Sequence, residues 1–564
     1  MLDRDPVLLE IVWNRLLAMV EEQARVLINA AFSPIVSEMQ DLAVGVFDRH
    51  ANMLAQSIST GTPGHTISMA TGVRHFLERY PAERLEPGDT LLSNDPWKIA
   101  GQLNDMTVVT PVFRRGKVQA LFASTCHSID VGGRGYSADS REVFEEGLAI
   151  PVQKLIRAGE PNEDLFELIA ANVRAPREVL GDLRAQVAAN EVSAARLIAM
   201  LDEFGLAGLD ELSASILGRS ERAMRKAIAT IPNGTYRHSL RLDGFDKPID
   251  IRAAVTVDDE RVEVDFAGSS PQSAHGINVV LNYTFAYTSY GLICAICPTA
   301  PVNAGTFRPL TVWAAEGSIL NARFPAPVAG RHLVGHFLPT AVLGALAQVI
   351  PDRVMAESSA LGAATIYGRQ ASGEPFLSTF FAYGGYGARP DKDGLATTGF
   401  PSNLANTPVE LLEATTPLLV ASKELIPDSG GAGRFRGGAA QRIVLETRSP
   451  SPCQVSCFFE RIANPAQGLD GGGQGRPGRF ELVTAAGRRR RPHPKGQFTF
   501  APGDVLTVEL SGGGGFGPPA ERDPARLAED VDDGLVTPRA ARALYRRAGG
   551  TPRGARKAGR GARD

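Results

Sequence analysis

Between Asn94 and Gly133 the chain concentrates residue types that perform acid/base or metal chemistry: Asp95, Gln102, Asn104, Asp105, His127 and Asp130. Two runs rich in Val, Thr and Phe, Met106–Phe113 and Val118–Ser124, flank the turn Arg114-Arg115-Gly116-Lys117 and predict a β-hairpin. A hairpin brings its outer ends together, so Asp105 and His127 are expected to be neighbours. An aspartate beside a histidine at an open sheet end suits a hard metal ion or a general acid/base pair. A carboxylate that merely pins a loop histidine has the same spacing, and that reading stays open.

The elements that must position this hairpin follow from periodicity. Apolar Leu8, Leu9, Val12, Leu16, Leu17, Val20, Ala24, Leu27 and Ala30 predict a helix over 6–31, started by Asp5-Pro6 and ended by Pro34. Leu42–Phe47 and Leu54–Ile58 read as strands, and 66–80 as a helix. Residues 163–230 are helix-rich, with Asn190–Phe204 and Leu209–Ile231 strongly amphipathic. Tyr236–Leu242, Ile249–Val257 and Arg261–Phe266 alternate apolar and polar residues as antiparallel strands do. Helices are expected again at 281–297 and 338–349. Short strands with glycine-rich turns fill 376 to 515, and two closing helices follow at Asp523–Gly534 and Thr537–Arg547. The fold class is α+β and multi-domain, with a helical N-terminal part, mixed and antiparallel sheets, and a strand-rich C-terminal third. The expected division is an N-terminal α/β region at 1–160 carrying the active-site candidates, a helical region at 161–232, an α+β central domain at 233–375, a strand-rich domain at 376–547, and a disordered basic tail at 548–564.

Composition narrows the function classes. The 564 residues are 21% charged and 43% hydrophobic with a net charge of −3, as in ordinary globular proteins, and give no electrostatic case for nucleic acid or an anionic membrane. No apolar run is long enough to span a bilayer, and the polar start Met1–Pro6 is unlike a signal peptide. Five cysteines without disulfide-like density point to a reducing cytoplasm. Cys294/Cys297 and Cys453/Cys457 fall in an apolar helix and a strand, so they read as buried free thiols and not as a zinc knuckle. Gly512–Gly517 and Gly473–Gly478 satisfy the dinucleotide glycine spacing literally. The first runs into Pro518-Pro519 and the second precedes a strand, so neither opens the helix that would bind a phosphate. No Walker-type loop is present.

An ordered set of motifs resembles the hydantoinase B/oxoprolinase family over residues 5–547. They are Ser37-Glu38-Met39-Gln40-Asp41, Pro63-Gly64-His65-Thr66, Asn94-Asp95-Pro96-Trp97, Leu103-Asn104-Asp105, Cys126–Gly133, Glu146-Gly147-Leu148, Gly276-Ile277-Asn278, Val302–Gly305, Ala329-Gly330-Arg331-His332, Asn406–Glu410, Pro427–Gly433, Phe459-Glu460-Arg461 and Gly512–Gly517. The resemblance implies the hydrolytic subunit of an ATP-dependent cyclic-amide hydrolase of the hydantoinase, oxoprolinase or lactamase type. A separate hydantoinase A-type ATPase subunit would bind ATP and activate the substrate, in a cytoplasmic hetero-oligomer. A subunit of an acetone- or acetophenone-type carboxylase acting on a ketone, or a scaffold for the ATPase partner, are the alternatives. In carboxylase members a divalent metal is held by a Glu, a His-x-x-Asp and a later His. The matching positions here are Glu38, Gln102, Asp105 and His127, for Mn, Mg, Fe or Zn. Gln102 departs from the family histidine, and with one imidazole gone the site either keeps an oxygen ligand or has lost its metal. The resemblance further assigns Asp105 and His127 to water or metal, Asp95 and Asp130 as base or orienting groups, and His65, Gln102 and Arg331 to substrate contacts. Of His332 and His336, at most His332 is expected to approach the site.

Overall fold

The computed structural model describes residues 6–545; the basic tail expected at 548–564 lies outside them. Helix α1 (Pro6–Ala30) forms where the sequence pattern places it, and Val12, Leu16, Val20, Ala24 and Leu27 along one stripe are fully buried. The turn α2 (Pro34–Ser37) leads into β1 (Leu42–Asp48) and β2 (Met53–Gln56), then α3 (Pro63–Gly72), α4 (Arg74–Arg79) and β3 (Thr90–Ser93). The expected hairpin is β4 (Asp105–Arg114) with β5 (Lys117–His127), followed by β6 (Gln153–Arg157) and β7 (Glu160–Pro161). These strands make one antiparallel sheet in the order β2-β1-β5-β4-β3-β6-β7.

This sheet is covered on both faces. Along β1, Val44 and Val46 pack beneath α1, while Ala43 and Phe47 join the main core on the other side. Helices α5 (Glu163–Asn172), α6 (Pro176–Glu203) and α7 (Asp210–Ile228) follow. α6 lies against α1 and across the central strands, where Gln186 Nε2 donates to the Met106 and Ser124 carbonyls, each at 3.1 Å. The expected helical region 161–232 holds α5, α6 and α7, and through α6 it packs against the first sheet.

Strands β8 (Gly234–Leu242), β9 (Ile249–Asp258) and β10 (Arg261–Asp265) are antiparallel neighbours. After α8 (Leu281–Ile296) and α9 (Ala304–Phe307), β11 (Leu310–Trp313) adds to β10 in parallel, which makes this sheet mixed. α10 (His332–Gly335) and α11 (Leu338–Leu346) complete the region. α8 sits between α3 and α11. α3 approaches α8 so closely that a Cβ on Gly64 would lie 2.6 Å from the Tyr287 ring.

The C-terminal part is a two-sheet sandwich. β12 (Leu361–Arg369), β13 (Pro375–Tyr383), β16 (Cys453–Phe458) and β19 (Gln497–Phe500) form one sheet. β14 (Leu418–Leu425), β15 (Gln441–Thr447), β17 (Arg479–Val483), β18 (Arg489–Arg490) and β20 (Val505–Glu509) form the other, with α12 (Val409–Thr415) alongside. Ile366, Phe380, Val455 and Phe500 meet Leu445, Phe480, Leu506 and Val508 between them. The expected boundary at 375/376 falls within the β12–β13 hairpin, which pairs Leu361 with Tyr383 and Arg369 with Pro375, so the strand-rich part begins at Leu361. The glycine-rich segments stack backbone on backbone: a Cβ on Gly512 would lie 1.8 Å from the Ser429 carbonyl oxygen. Their glycines are thus packing devices. α13 (Pro524–Asp532) and α14 (Pro538–Leu544) close the described chain. All five cysteines are free; Cys126, Cys453 and Cys457 are buried, but Cys294 is exposed and Cys297 partly so, because they lie at the end of α8. Among the described residues no helix is long and apolar enough to cross a membrane.

Candidate active site

Three neighbouring strand ends build the site. The β4–β5 register sets Asp105 opposite His127, and the β1–β5 register sets Leu42 opposite Cys126. Asp41, one residue before β1, is thereby brought beside His127, whose backbone N–H donates to the Asp41 carbonyl at 3.1 Å. α3 adds His65 from its first turn, the loop before β4 adds Gln102, and Arg331 arrives from the loop before α10.

The side chains converge on Asp105. Its Oδ1 accepts from Gln102 Nε2 at 2.8 Å and lies 3.1 Å from His127 Nδ1. Its Oδ2 lies 3.0 Å from His65 Nε2 and accepts from Arg331 Nη2. Asp41 stands on the far side, 3.4 Å from His65 Nδ1 and 3.9 Å from His127 Nδ1, and accepts from Thr62 Oγ1 at 3.1 Å. None of these residues is more than 6% exposed, so the charges act on each other with little screening by water. Arg331 Nε donates to the Ala100 carbonyl at 2.6 Å, and its guanidinium lies 4.1 Å from the centre of the Tyr283 ring.

Burial alone would raise the Asp105 carboxyl, but Arg331 and His65 beside it hold it well below the usual range. For His65 burial works downward, and the carboxylates of Asp105 and Asp41 outweigh it, so its pKa is raised. His332 is pushed down to about 3 by burial and then by the charges of Arg331 and His127, and His336 falls well below its usual value for like reasons. Both are neutral. His332 Nδ1 meets the Tyr136 hydroxyl at 3.2 Å, and His336 Nε2 meets the Tyr287 hydroxyl at 3.1 Å.

Between these groups is a cavity of about 30 Å³, lined by Asp41, His65, Gln102, His127, Tyr136 and Arg331 among others, with Ser402 and Leu404 also on its wall. Such a volume accommodates a water molecule with polar partners on several sides. Glu146 supports the site from behind. Its Oε1 accepts from Ser140 Oγ at 2.7 Å and from the backbone N–H groups of Val328 and Ala329 at 2.8 and 2.9 Å, which fixes the loop that carries Arg331.

Of the residues singled out from the sequence, Asp105, His127, Gln102, His65 and Arg331 come together. Three do not. Glu38 is exposed at the end of α2, and Asp41 stands where it was expected. Asp95 caps its own turn, accepting from the Trp97 N–H at 3.0 Å, and faces a different, apolar cleft. Asp130 accepts from Arg174 Nη1 at 2.9 Å and the Gly132 N–H at 3.1 Å, so it holds the loop after β5. Sequence reasoning passed over Asp41, Tyr136, Glu146 and the approach of His336. Asp41 immediately precedes a predicted strand, as Asp105 does, but its approach to His127 depends on the pairing of β1 with β5. Among the described residues no group of three or more His, Cys, Asp or Glu side chains is arranged to hold a metal ion.

Comparison with known proteins agrees with this architecture. The hydantoinase B/oxoprolinase family model matches residues 5–519. A protein of Methanocaldococcus jannaschii is 31% identical over 549 residues, covering 96% of each chain. The putative B component of a D-/L-hydantoinase from Pseudomonas sp. (strain NS671) is 28% identical over 565 residues, covering 94% of this chain and 93% of that one. The crystal structure of the ATP-dependent caprolactamase from Pseudomonas jessenii aligns over 96% of both chains with a TM-score of 0.87 and 27% identity. On a sequence match through nearly the whole length and a shared fold, the chain belongs to the hydantoinase B/oxoprolinase family.

Proposed function

We propose that this chain is the hydrolytic subunit of an ATP-dependent cyclic-amide hydrolase, and that it completes ring opening of a substrate activated by a separate ATPase subunit. The observation that carries this reading is the buried Asp41–His65–Asp105–His127–Arg331 cluster around a water-sized cavity. The glycine-rich segments of this chain are packed against one another, which supports assigning ATP chemistry to a separate subunit. Relatives named as the B component of a hydantoinase and as an ATP-dependent caprolactamase support the substrate class.

Phosphorylation of a ring amide oxygen turns the amide carbon into an electrophile. Water held by Asp41 and His127 adds its oxygen to that carbon and gives up a proton to one of them. The tetrahedral carbon then carries the new hydroxyl, the phosphate oxygen and the ring nitrogen. The C–N bond breaks as protonated His65 gives its proton to nitrogen while the new hydroxyl gives its proton to the other of Asp41 and His127, leaving an amine and an acyl phosphate. One of the two captured protons recharges His65, which lies beside Asp41, and the other leaves to solvent. A second water releases the carboxylate and inorganic phosphate. Arg331 faces the developing negative charge. The cavity is water-sized, so binding a ring requires the site to widen.

The test is to purify the chain together with a hydantoinase A-type ATPase subunit and to follow ATP-dependent opening of hydantoin, 5-oxoproline and caprolactam by mass spectrometry. Turnover is expected only with both subunits present. Ring opening by this chain alone, or ATP-dependent carboxylation of a ketone without ring opening, would overturn the assignment.

A further inference from the structure

We infer that Arg331 is the resident cation of this cluster, and that its guanidinium occupies the electrostatic role that a divalent metal ion holds in carboxylase members of the family. Three features of the chain lead there. First, both oxygens of Asp105 are already engaged by nitrogen. Gln102 Nε2 and His127 Nδ1 meet Oδ1 at 2.8 and 3.1 Å, while His65 Nε2, at 3.0 Å, and Arg331 Nη2 meet Oδ2. A metal ion bound through either oxygen must displace one of these groups. It would also lie against a guanidinium in a buried, weakly screened cluster, where like charges repel strongly.

Second, Gln102 contributes a donor at the position where the family pattern has a ligating histidine. Its amide nitrogen faces Asp105 Oδ1 and lies 2.9 Å from His127 Nδ1, while its Oε1 is buried without a hydrogen-bond partner. Turning the amide over would press two oxygens together at hydrogen-bond distance, so the network itself fixes the nitrogen toward Asp105.

Third, the guanidinium sits in a slot shaped for it. The Ala100 carbonyl takes Nε at 2.6 Å, the Tyr283 ring stacks at 4.1 Å, and Gly101 leaves the space. Gly101 has a φ of +90°, and a Cβ there would lie 2.8 Å from Arg331 Cδ. The residue beside Gln102 is thus a glycine that makes room for the arginine.

The inference concerns the cluster used in the proposed hydrolysis, but its test reads metal and not turnover, so the two can fail separately. The full chain, alone and with its ATPase subunit, is purified from cells supplied with Mn and Zn and analysed by mass spectrometry for metals. Binding of MnCl₂ and ZnCl₂ is then measured by equilibrium dialysis. The wild type is expected to carry well under about 0.1 equivalent, and its melting temperature should not respond to EDTA or added Mn. The double variant Gln102→His/Arg331→Leu restores an imidazole and removes the cation. It is expected to bind Mn or Zn at least about 100-fold more tightly than the wild type. A stoichiometric metal in the wild type, a melting temperature lowered by EDTA, or a folded double variant that gains no affinity would each overturn the inference. If the double variant does not fold, the metal content and EDTA response of the wild type decide it.

Discussion

Asp105 and His127 stand directly opposite each other in the β4–β5 register, and their side chains meet at 3.1 Å. That relationship makes a backbone pairing into a chemical one, because the first residue of β4 and the last of β5 end where the sheet stops. Asp105 is also the counter-charge for Arg331 and His65. Asp105→Asn removes that charge while keeping the shape, and leaves the buried Arg331 without a carboxylate partner and His65 with Asp41 alone. The loss of one member of such a pair costs roughly 3–5 kcal/mol of folding stability. Urea unfolding is the check. A variant as stable as the wild type would show that Arg331 and His65 do not depend on Asp105 for their charge balance.

The hairpin was legible because its signals are local: β-rich runs, a turn and polar ends within one stretch of chain. α1, α8 and the strands β8 to β10 were legible for the same reason. The approach of Asp41 was not, because it rests on β1 pairing with β5, and nothing in 42–58 distinguishes that neighbour from its own return strand. Motif transfer then favoured Glu38, which shares the loop but points outward. Asp95 and Asp130 were over-read. Each is a carboxylate in a glycine- or proline-marked loop, where capping a backbone N–H is a sufficient use. Glu146 and the Val328–Arg331 loop meet across a long sequence separation, a contact with no local pattern to announce it.

Asp95 and Asp130 supply a separate prediction. If both serve loops and not chemistry, Asp95→Asn should leave ring-opening turnover in the complex within about threefold of wild type, since an amide oxygen can still accept from the Trp97 N–H. Asp130→Ala should cost stability, about 2 kcal/mol, through the unpaired Arg174 and Gly132 donors. A thousandfold fall in turnover in a folded Asp95→Asn protein would return Asp95 to the reaction.

Arg331→Lys tests whether charge alone suffices. Lysine keeps the positive charge but has no planar fork, so it cannot engage Asp105 while also donating to the Ala100 carbonyl and stacking on Tyr283. Turnover in the complex is expected to fall about 100-fold, the usual effect of losing one preorganised donor. Steady-state kinetics with each substrate would show it. Retention of full activity would mean that the slot formed by Gly101 and Tyr283 is incidental.

Glu146 gives a pH dependence with a definite sign. Burial pushes its carboxyl up from the ordinary 4.5 to about 7, although Ser140 and the N–H groups of Ala329 and Val328 work in the other direction. In the unfolded chain the group ionises near its ordinary value. Between about 4.5 and 7 the folded protein therefore holds a proton that the unfolded chain has released. The contribution to stability is fully present below 4.5 and is lost as the pH rises through 7, amounting to roughly 3 kcal/mol over the window. Glu146→Gln keeps an oxygen for the Val328 and Ala329 amides but cannot ionise. Urea unfolding of both proteins at pH 5 and pH 8 separates this group from every other titration. The wild type should lose about 2.5 kcal/mol relative to the variant on going to the higher pH, since pH 5 already lies inside the window. A difference that does not change with pH would mean that Glu146 ionises in the folded protein as it does in the unfolded one, and that the loop carrying Arg331 is held without regard to its charge.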